Sequence, residues 1–236
     1  MLLTAAGLIA LLLGLPLLVL GLYALQHGSG FDATLPQAIV LSLTTTLISA
    51  GLIAALGTPL AYVLARWRFP LRGLLIVLLE LPVVLPPAVA GLALLITFGR
   101  QGALGQPLGH LGITMPFTPA AVVIAQVFVA APFYIRSAIA GLGAVPRSIE
   151  DAARVDGAGG LMLFRRVTLP LAAPTLAAGL TMSWARALGE FGATILFAGS
   201  LPGRTQTMPL LIYNILERDI DAAVTTGLLL VALALM

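Results

Sequence analysis

The stretch EDAARVDGAGGLMLFRRVTLP, residues 150–170, interrupts an otherwise oily chain. Of 236 residues, 60% are hydrophobic and 9% are charged. Yet Glu150, Asp151, Arg154, Asp156, Arg165 and Arg166 crowd into this one connection, six of the chain's 12 basic and 9 acidic residues. On either side run long Leu/Ala/Val stretches without polar alternation. About 20 apolar residues in a helix cross a ~30 Å hydrocarbon core, and without alternation a barrel is excluded. The charged stretch therefore reads as a loop between membrane spans.

Mean hydropathy of +1.09 places the chain among polytopic helical membrane proteins, all-α, with about six transmembrane helices. All 12 basic residues are Arg. Without Lys there is no Walker A phosphate loop and no Schiff base, so the chain is not itself an ordinary ATPase. No Cys and two distant His, His27 and His110, exclude disulfides, thiolate chemistry and a zinc site. A pI near 10.0 suits nucleic acid, but arginines on cytoplasmic loops explain it, and no nucleic-acid partner is expected. No cofactor or metal is expected on this chain.

Six spans are read, at 5–25, 37–64, 73–98, 118–141, 171–197 and 222–236. The last is short, about 22 Å of helix, so the chain is read as trimmed at Met236 or the span as incomplete. The first lacks the basic start and cleavage site of a signal peptide. Arg66, Arg68, Arg72, Arg147, Arg154, Arg165 and Arg166 fall on one set of connections, and Arg100, Arg204 and Arg218 on the other. The arginine-rich set marks the cytoplasm and places both termini inside. The division is residues 1–36, a first helix with its outer loop, and 37–236, a core that includes a cytoplasmic loop at 142–170.

That loop has helical features of its own. Ser148 and Asp151 have capping-box spacing, and an early carboxylate suits the positive helix end. Ile149, Ala152 and Ala153 share one face, with Glu150, Asp151 and Arg154 towards the other. Gly157 can end the helix in the left-handed conformation, with Gly159 and Gly160 keeping the turn slim. LMLFRRV suits a second short turn before Pro170 opens the next span. A solvated connection also accounts for charge, but passive links need about two to eight residues. The length and apolar content favour a docking surface.

Asp151, Ala152, Ala153, Gly157, Val167, Leu169 and Pro170 resemble, in spacing, the EAA loop of ABC importer permeases: Glu-Ala-Ala, three residues, Gly, nine residues, Ile, any residue, Leu-Pro. Asp151 replaces Glu, Val167 replaces Ile, and Glu150 carries an acid one position early. WARALGEFGATILFAG (184–199) and ELPVVLPPAVAGLALLITFG (80–99) are similar to the permease subunits of molybdate and tungstate importers. Sulfate and thiosulfate permeases share the Gly-Glu-Phe-Gly block. The resemblance implies a type I importer fold and a homodimer with the pore between two copies. It implies two ATP-binding subunits carrying ATP and Mg, and an extracytoplasmic oxyanion-binding protein. It makes Ser148, Ile149, Glu150, Asp151, Ala152, Ala153, Arg154, Gly157 and Pro170 the coupling segment, which seats in the ATPase, and leaves no catalytic residue here.

Ser42, Thr45, Thr46 and Ser49 form a hydroxyl stripe on one face of the second span. Two readings stand: donors along an anion path that bind weakly enough to release, or packing bonds within the protein. Arg186 and Glu190, four apart, form either a structural pair or part of an external gate. Glu80 is read at a helix start or interface, and Pro82, Pro86 and Pro87 are expected to kink the third span. An ion-coupled transporter is a rival that leaves the long loop unexplained. An intramembrane enzyme needs a nucleophile and base, but both histidines fall in outer loops.

Overall fold

A computed structural model describes residues 2–28 and 30–235. The helices are α1 Leu2–His27, α2 Leu35–Arg66, α3 Arg72–Val84, α4 Pro87–Phe98, α5 Gly105–His110 and α6 Pro119–Ala144. They continue with α7 Arg147–Val155, α8 Gly160–Leu163, α9 Leu169–Leu188, α10 Gly192–Phe197, α11 Met208–Leu216 and α12 Ile220–Ala234. A π-helical turn, Phe164–Thr168, joins α8 to α9. Among the described residues there is no strand.

Helices α1, α2 and α6 are long and apolar enough to cross a membrane, and α3 with α4 adds a fourth crossing if that bent pair is one span. The span read at 73–98 is interrupted: the chain bends by 116° between α3 and α4. Leu85 (ψ 134°) and Pro86 (ψ 137°) are extended and α4 begins at Pro87, as expected where a residue before proline is driven out of the helical region. The span read at 171–197 also breaks, at Gly189–Phe191, between α9 and α10. Helices α5 and α11 lie between the spans read from the sequence, in the stretches 99–117 and 198–221. Met236, the end of the last predicted span, lies outside the described residues.

The chain forms two compact units. One comprises Met1–Ser42 and Ser200–Met236. Its core joins Leu35 and Ala38 to Met208, Leu211, Ile215, Ala222 and Ala223. α1 is apolar along nearly its whole length and none of its spanning window is buried, the surface of a helix solvated by lipid. Tyr23 Oη donates to Asp221 Oδ1 at 2.9 Å, tying α1 to α12. In the connection before α2, Asp32 accepts from the Thr34 hydroxyl and amide at 2.6 and 2.8 Å. These bonds, with Arg218 nearby, hold its carboxyl below the usual carboxylate range.

The other unit is Leu43–Gly199. Its spine is the crossing of α6 with α9, where small residues permit close approach. A Cβ on Gly141 would stand 2.8 Å from Thr175 Cβ, and one on Gly179 would meet Ser137. Ile53, Ala61, Ala130, Tyr134, Ala138, Leu142, Ala172 and Leu176 pack around that crossing. A second cluster, with Ala90, Leu94, Val122, Ala125, Ala193 and Phe197, joins α4 and α10 to the start of α6. Thr118 caps α6 by accepting from the Ala121 amide, with Pro119 in the first turn. Two places in this unit now concern function: the end carrying α7, and the polar groups inside the spans.

Candidate functional site

At the α7 end, the chain leaves α6 through an extended Val145 and Pro146, and helix begins at Arg147. Ser148 therefore lies inside the helix and caps nothing, a correction to the capping box. Pro146 holds the cap position, and its carbonyl already accepts from the Ile149 amide at 3.2 Å. The helix does end as the sequence requires. Gly157 has φ +89°, its amide donates to Arg154 O at 3.0 Å, and Ala158 N donates to Ala153 O at 2.9 Å.

Glu150 parts from the charged residues it was grouped with: it is 2% exposed, whereas Asp151 and Arg154 remain exposed, as does Ile149 at 43%. Glu150 Oε1 receives Arg66 Nη2 at 2.8 Å and the Thr168 hydroxyl at 2.7 Å. Arg66 Nη2 also donates to Val145 O at 3.1 Å. One carboxylate oxygen thus joins the end of α2, α7 and the turn that starts α9. The physical reason is Arg66: a guanidinium buried at a helix end needs an anion, and burial without one is costly. Its Nε has no partner among the described residues, so Glu150 carries the compensation.

The outward side of α7 is free. Asp151 pairs with Arg154 at 2.5 Å, and Ala152 is exposed, while Ala153 is half-buried. Val155, Leu161 and Met162 join Ile149 as exposed apolar groups. Gly157 has no neighbour within 4 Å of a built Cβ. Pro170 sits in the first turn of α9, where a missing amide hydrogen costs nothing.

Inside the spans, the hydroxyl stripe is buried and hydrogen-bonded. Ser42, Thr45, Thr46 and Ser49 are all buried. Ser42 Oγ accepts from Met208 N at 2.8 Å. Gln126 bridges two others, donating through Nε2 to Thr45 Oγ1 at 3.2 Å and accepting from Ser49 through Oε1 at 2.9 Å. Trp184 Nε1 donates to Thr46 Oγ1 at 3.2 Å. In this chain each of the four hydroxyls bonds a neighbouring protein group, as the packing reading of the stripe requires. Gln126, a lone amide in an apolar span, was the signal in the sequence for such a network.

Arg186 Nη2 meets Glu190 Oε2 at 2.8 Å. The two do not share a helix, because α9 ends at Leu188. Glu190 sits in the turn, and its other oxygen accepts from Ala193 N at 2.7 Å, capping α10. Glu190 is buried, and Arg186, half-buried, lines a cavity of about 130 Å³ with Pro82, Val83, Pro87 and Phe133. Glu80, on α3, receives Arg136 of α6 through Nε at 3.1 Å and Nη2 at 2.9 Å. In both pairs each charge meets an opposite one. Among the described residues no group of three or more acidic, His or Cys side chains could hold a metal ion.

Residues 57–236 match the family described as binding-protein-dependent transport system inner membrane component. The chain belongs to this family. An inner membrane component of this kind is the multi-pass membrane subunit of a transport system and not its ATPase. This component is 46% identical over 197 residues to the molybdenum transport system permease protein ModB of Mycobacterium tuberculosis, covering 84% of this chain and 75% of that one. It is 37% identical over 210 residues to the sulfate transport system permease protein CysW of Synechococcus elongatus, covering 86% and 73%. Among solved structures it superposes on a chain of a bacterial alginate ABC transporter crystallised with an alginate-bound periplasmic protein. The TM-score is 0.78 over 99% of this chain and 88% of that one, and at 19% identity the likeness carries the fold alone.

Proposed function

We propose that this chain is the permease subunit of an ATP-driven importer for a tetrahedral oxyanion, molybdate or tungstate. It works as a homodimer, with two ATP-binding subunits against the α7 end and an oxyanion-binding protein on the opposite side. The arginine distribution supports a cytoplasmic α7 end with both termini inside. The chain binds no cofactor, ATP and Mg belonging to the partner subunits.

The observation that carries this reading is α7 itself. It is a short helix that exposes Ile149 and Val155 beside Leu161 and Met162 of α8, and it is fastened to the spans through one buried carboxylate. In a transport component, such a surface fits a cleft in a partner subunit. Ser148, Ile149, Asp151, Ala152, Ala153, Arg154 and Gly157 belong to the docking face, while Glu150 and Pro170 orient it. When ATP draws the partner subunits together, α7 moves with them. The Arg66–Glu150–Thr168 contacts pass that displacement to α2 and α9, and hydrolysis reverses it. Arg186 and Glu190 act as a structural pair that shapes the turn between α9 and α10.

The oxyanion assignment rests on the molybdenum permease relative and on the 80–99 and 184–199 segments. The sulfate permease relative at 37% identity supports sulfate as the second reading. Reconstitution of the complex in lipid, with each purified binding protein loaded in turn with molybdate, tungstate or sulfate, separates them. Stimulation of ATP hydrolysis by the molybdate- or tungstate-loaded protein is expected; stimulation only by the sulfate-loaded one overturns the first reading.

A further inference from the structure

We infer that the Arg136–Glu80 pair lies on the water-filled anion path and forms a weak, charge-compensated binding step for the oxyanion. The inference rests on the importer reading above and assigns the path a different surface from the hydroxyl stripe.

Depth comes first. Arg136 is eight residues before the end of α6, and Glu80 is eight residues after the start of α3. At 1.5 Å per residue, both counts place the pair about 12 Å inside the α7 end of the spans. Exposure comes second. The Arg136 and Glu80 side chains are 73% and 41% exposed in the protomer, unlike Glu190, which is buried. An exposed ion pair at that depth is expensive against lipid, and ionisable groups within spans face a bundle interior or a water-filled cavity. Arg136 does not escape by reaching to the interface, because its guanidinium is held by Glu80 across the cleft between α6 and α3.

The chemistry suits passage of a dianion. Arg136 uses Nε and Nη2, one edge of its fork, on the single oxygen Glu80 Oε1. Nη1 and the outer hydrogen of Nη2 remain as an end-on fork, with a spacing suited to two oxygens of a tetrahedral oxyanion. An isolated guanidinium would hold a dianion too firmly for transport. The Glu80 carboxylate lowers the net attraction, so the anion is recognised and released. Towards the α7 end, the exposed side of α6 continues through Ala140 and Gly143, side chains small enough to leave room for a hydrated ion. α3 has no buried residue of its own and leans on α6 in this cleft, beside Ile76, Leu79, Ile135 and Ile139.

The test uses the full complex. Labelled molybdate retained by the detergent-solubilised transporter without binding protein should fall in Arg136→Gln and rise in Glu80→Gln. Uptake by proteoliposomes should fall in both, about tenfold for Arg136→Gln, with Arg136→Lys intermediate. Opposite shifts in retention are the signature, because a pair that merely fastens α3 to α6 moves both variants the same way, and that result overturns the inference. Independently, Arg136→Cys in this cysteine-free chain should react with a membrane-impermeant anionic thiosulfonate. Reaction with a lipid-soluble maleimide alone would place the residue against lipid and overturn it too. If the wild-type complex takes up no oxyanion, the importer reading fails, while thiosulfonate access at position 136 still decides whether this surface is wet.

Discussion

At the residue scale, the buried carboxylate and the left-handed glycine of α7 have separable effects. Removing either member of the Arg66–Glu150 pair strands the other in a site where the side chains are 9% and 3% exposed. Glu150→Ala and Arg66→Ala should each cost about 3–5 kcal/mol. The double mutant should cost much less than their sum, because both remove the same contact. Thermal unfolding of the purified complex reads this, and additive losses would dissolve the link between α2 and α7. At Gly157 nothing crowds a side chain, so the cost lies in φ alone. Gly157→Val should lose about 1–2 kcal/mol locally and substrate-stimulated ATP hydrolysis with it. Gly157→Asn, which tolerates φ near +89°, should keep both the turn and the coupling. Equal loss in Asn and Val would mean that the partner needs bare backbone there.

At the element scale, Glu190 has two jobs and Arg186 one. A simple i,i+4 pair tolerates exchange of its charges. Here Glu190 also accepts the Ala193 amide, and an arginine at 190 would set a donor against a donor. The swap, Arg186→Glu with Glu190→Arg, should therefore recover little of the uptake or stability lost in Glu190→Ala. Glu190→Gln should retain more, since its amide oxygen can still cap α10. Uptake of labelled molybdate and melting of the complex distinguish these outcomes, and recovery by the swap would reduce Glu190 to an ion-pair partner. The break at Leu85–Pro86 was visible in the sequence as Pro-Pro, because proline's missing amide and its pressure on the preceding residue are local effects. The break at Gly189–Phe191 was not, since it carries no proline and Gly189, Glu190 and Gly192 were read as part of one continuous span.

At the scale of the whole molecule, the polar groups within the spans divide into those spent on packing and those left facing outward. Cysteines at Ser42, Thr45 and Ser49 should resist impermeant thiol reagents in every nucleotide state, being buried against Gln126, Met208 and their neighbours. Reaction at these positions when the pore opens would restore the hydroxyl stripe as part of the path.

The apolar runs, the gathered arginines and the spacing from Asp151 to Pro170 determined by themselves that this is a helical membrane chain with one elaborate loop. Each of those signals is local: hydropathy follows composition, and a left-handed glycine or a proline acts within a turn. What only the tertiary structure decided was direction. Whether Glu150 points inward depends on Arg66, 84 positions away, and whether the α2 hydroxyls see water depends on where α6 and α9 place Gln126 and Trp184. Helical periodicity groups residues on a face, but the face that is buried is set by the neighbour that arrives, and the neighbour's distance along the chain leaves no mark in the local pattern.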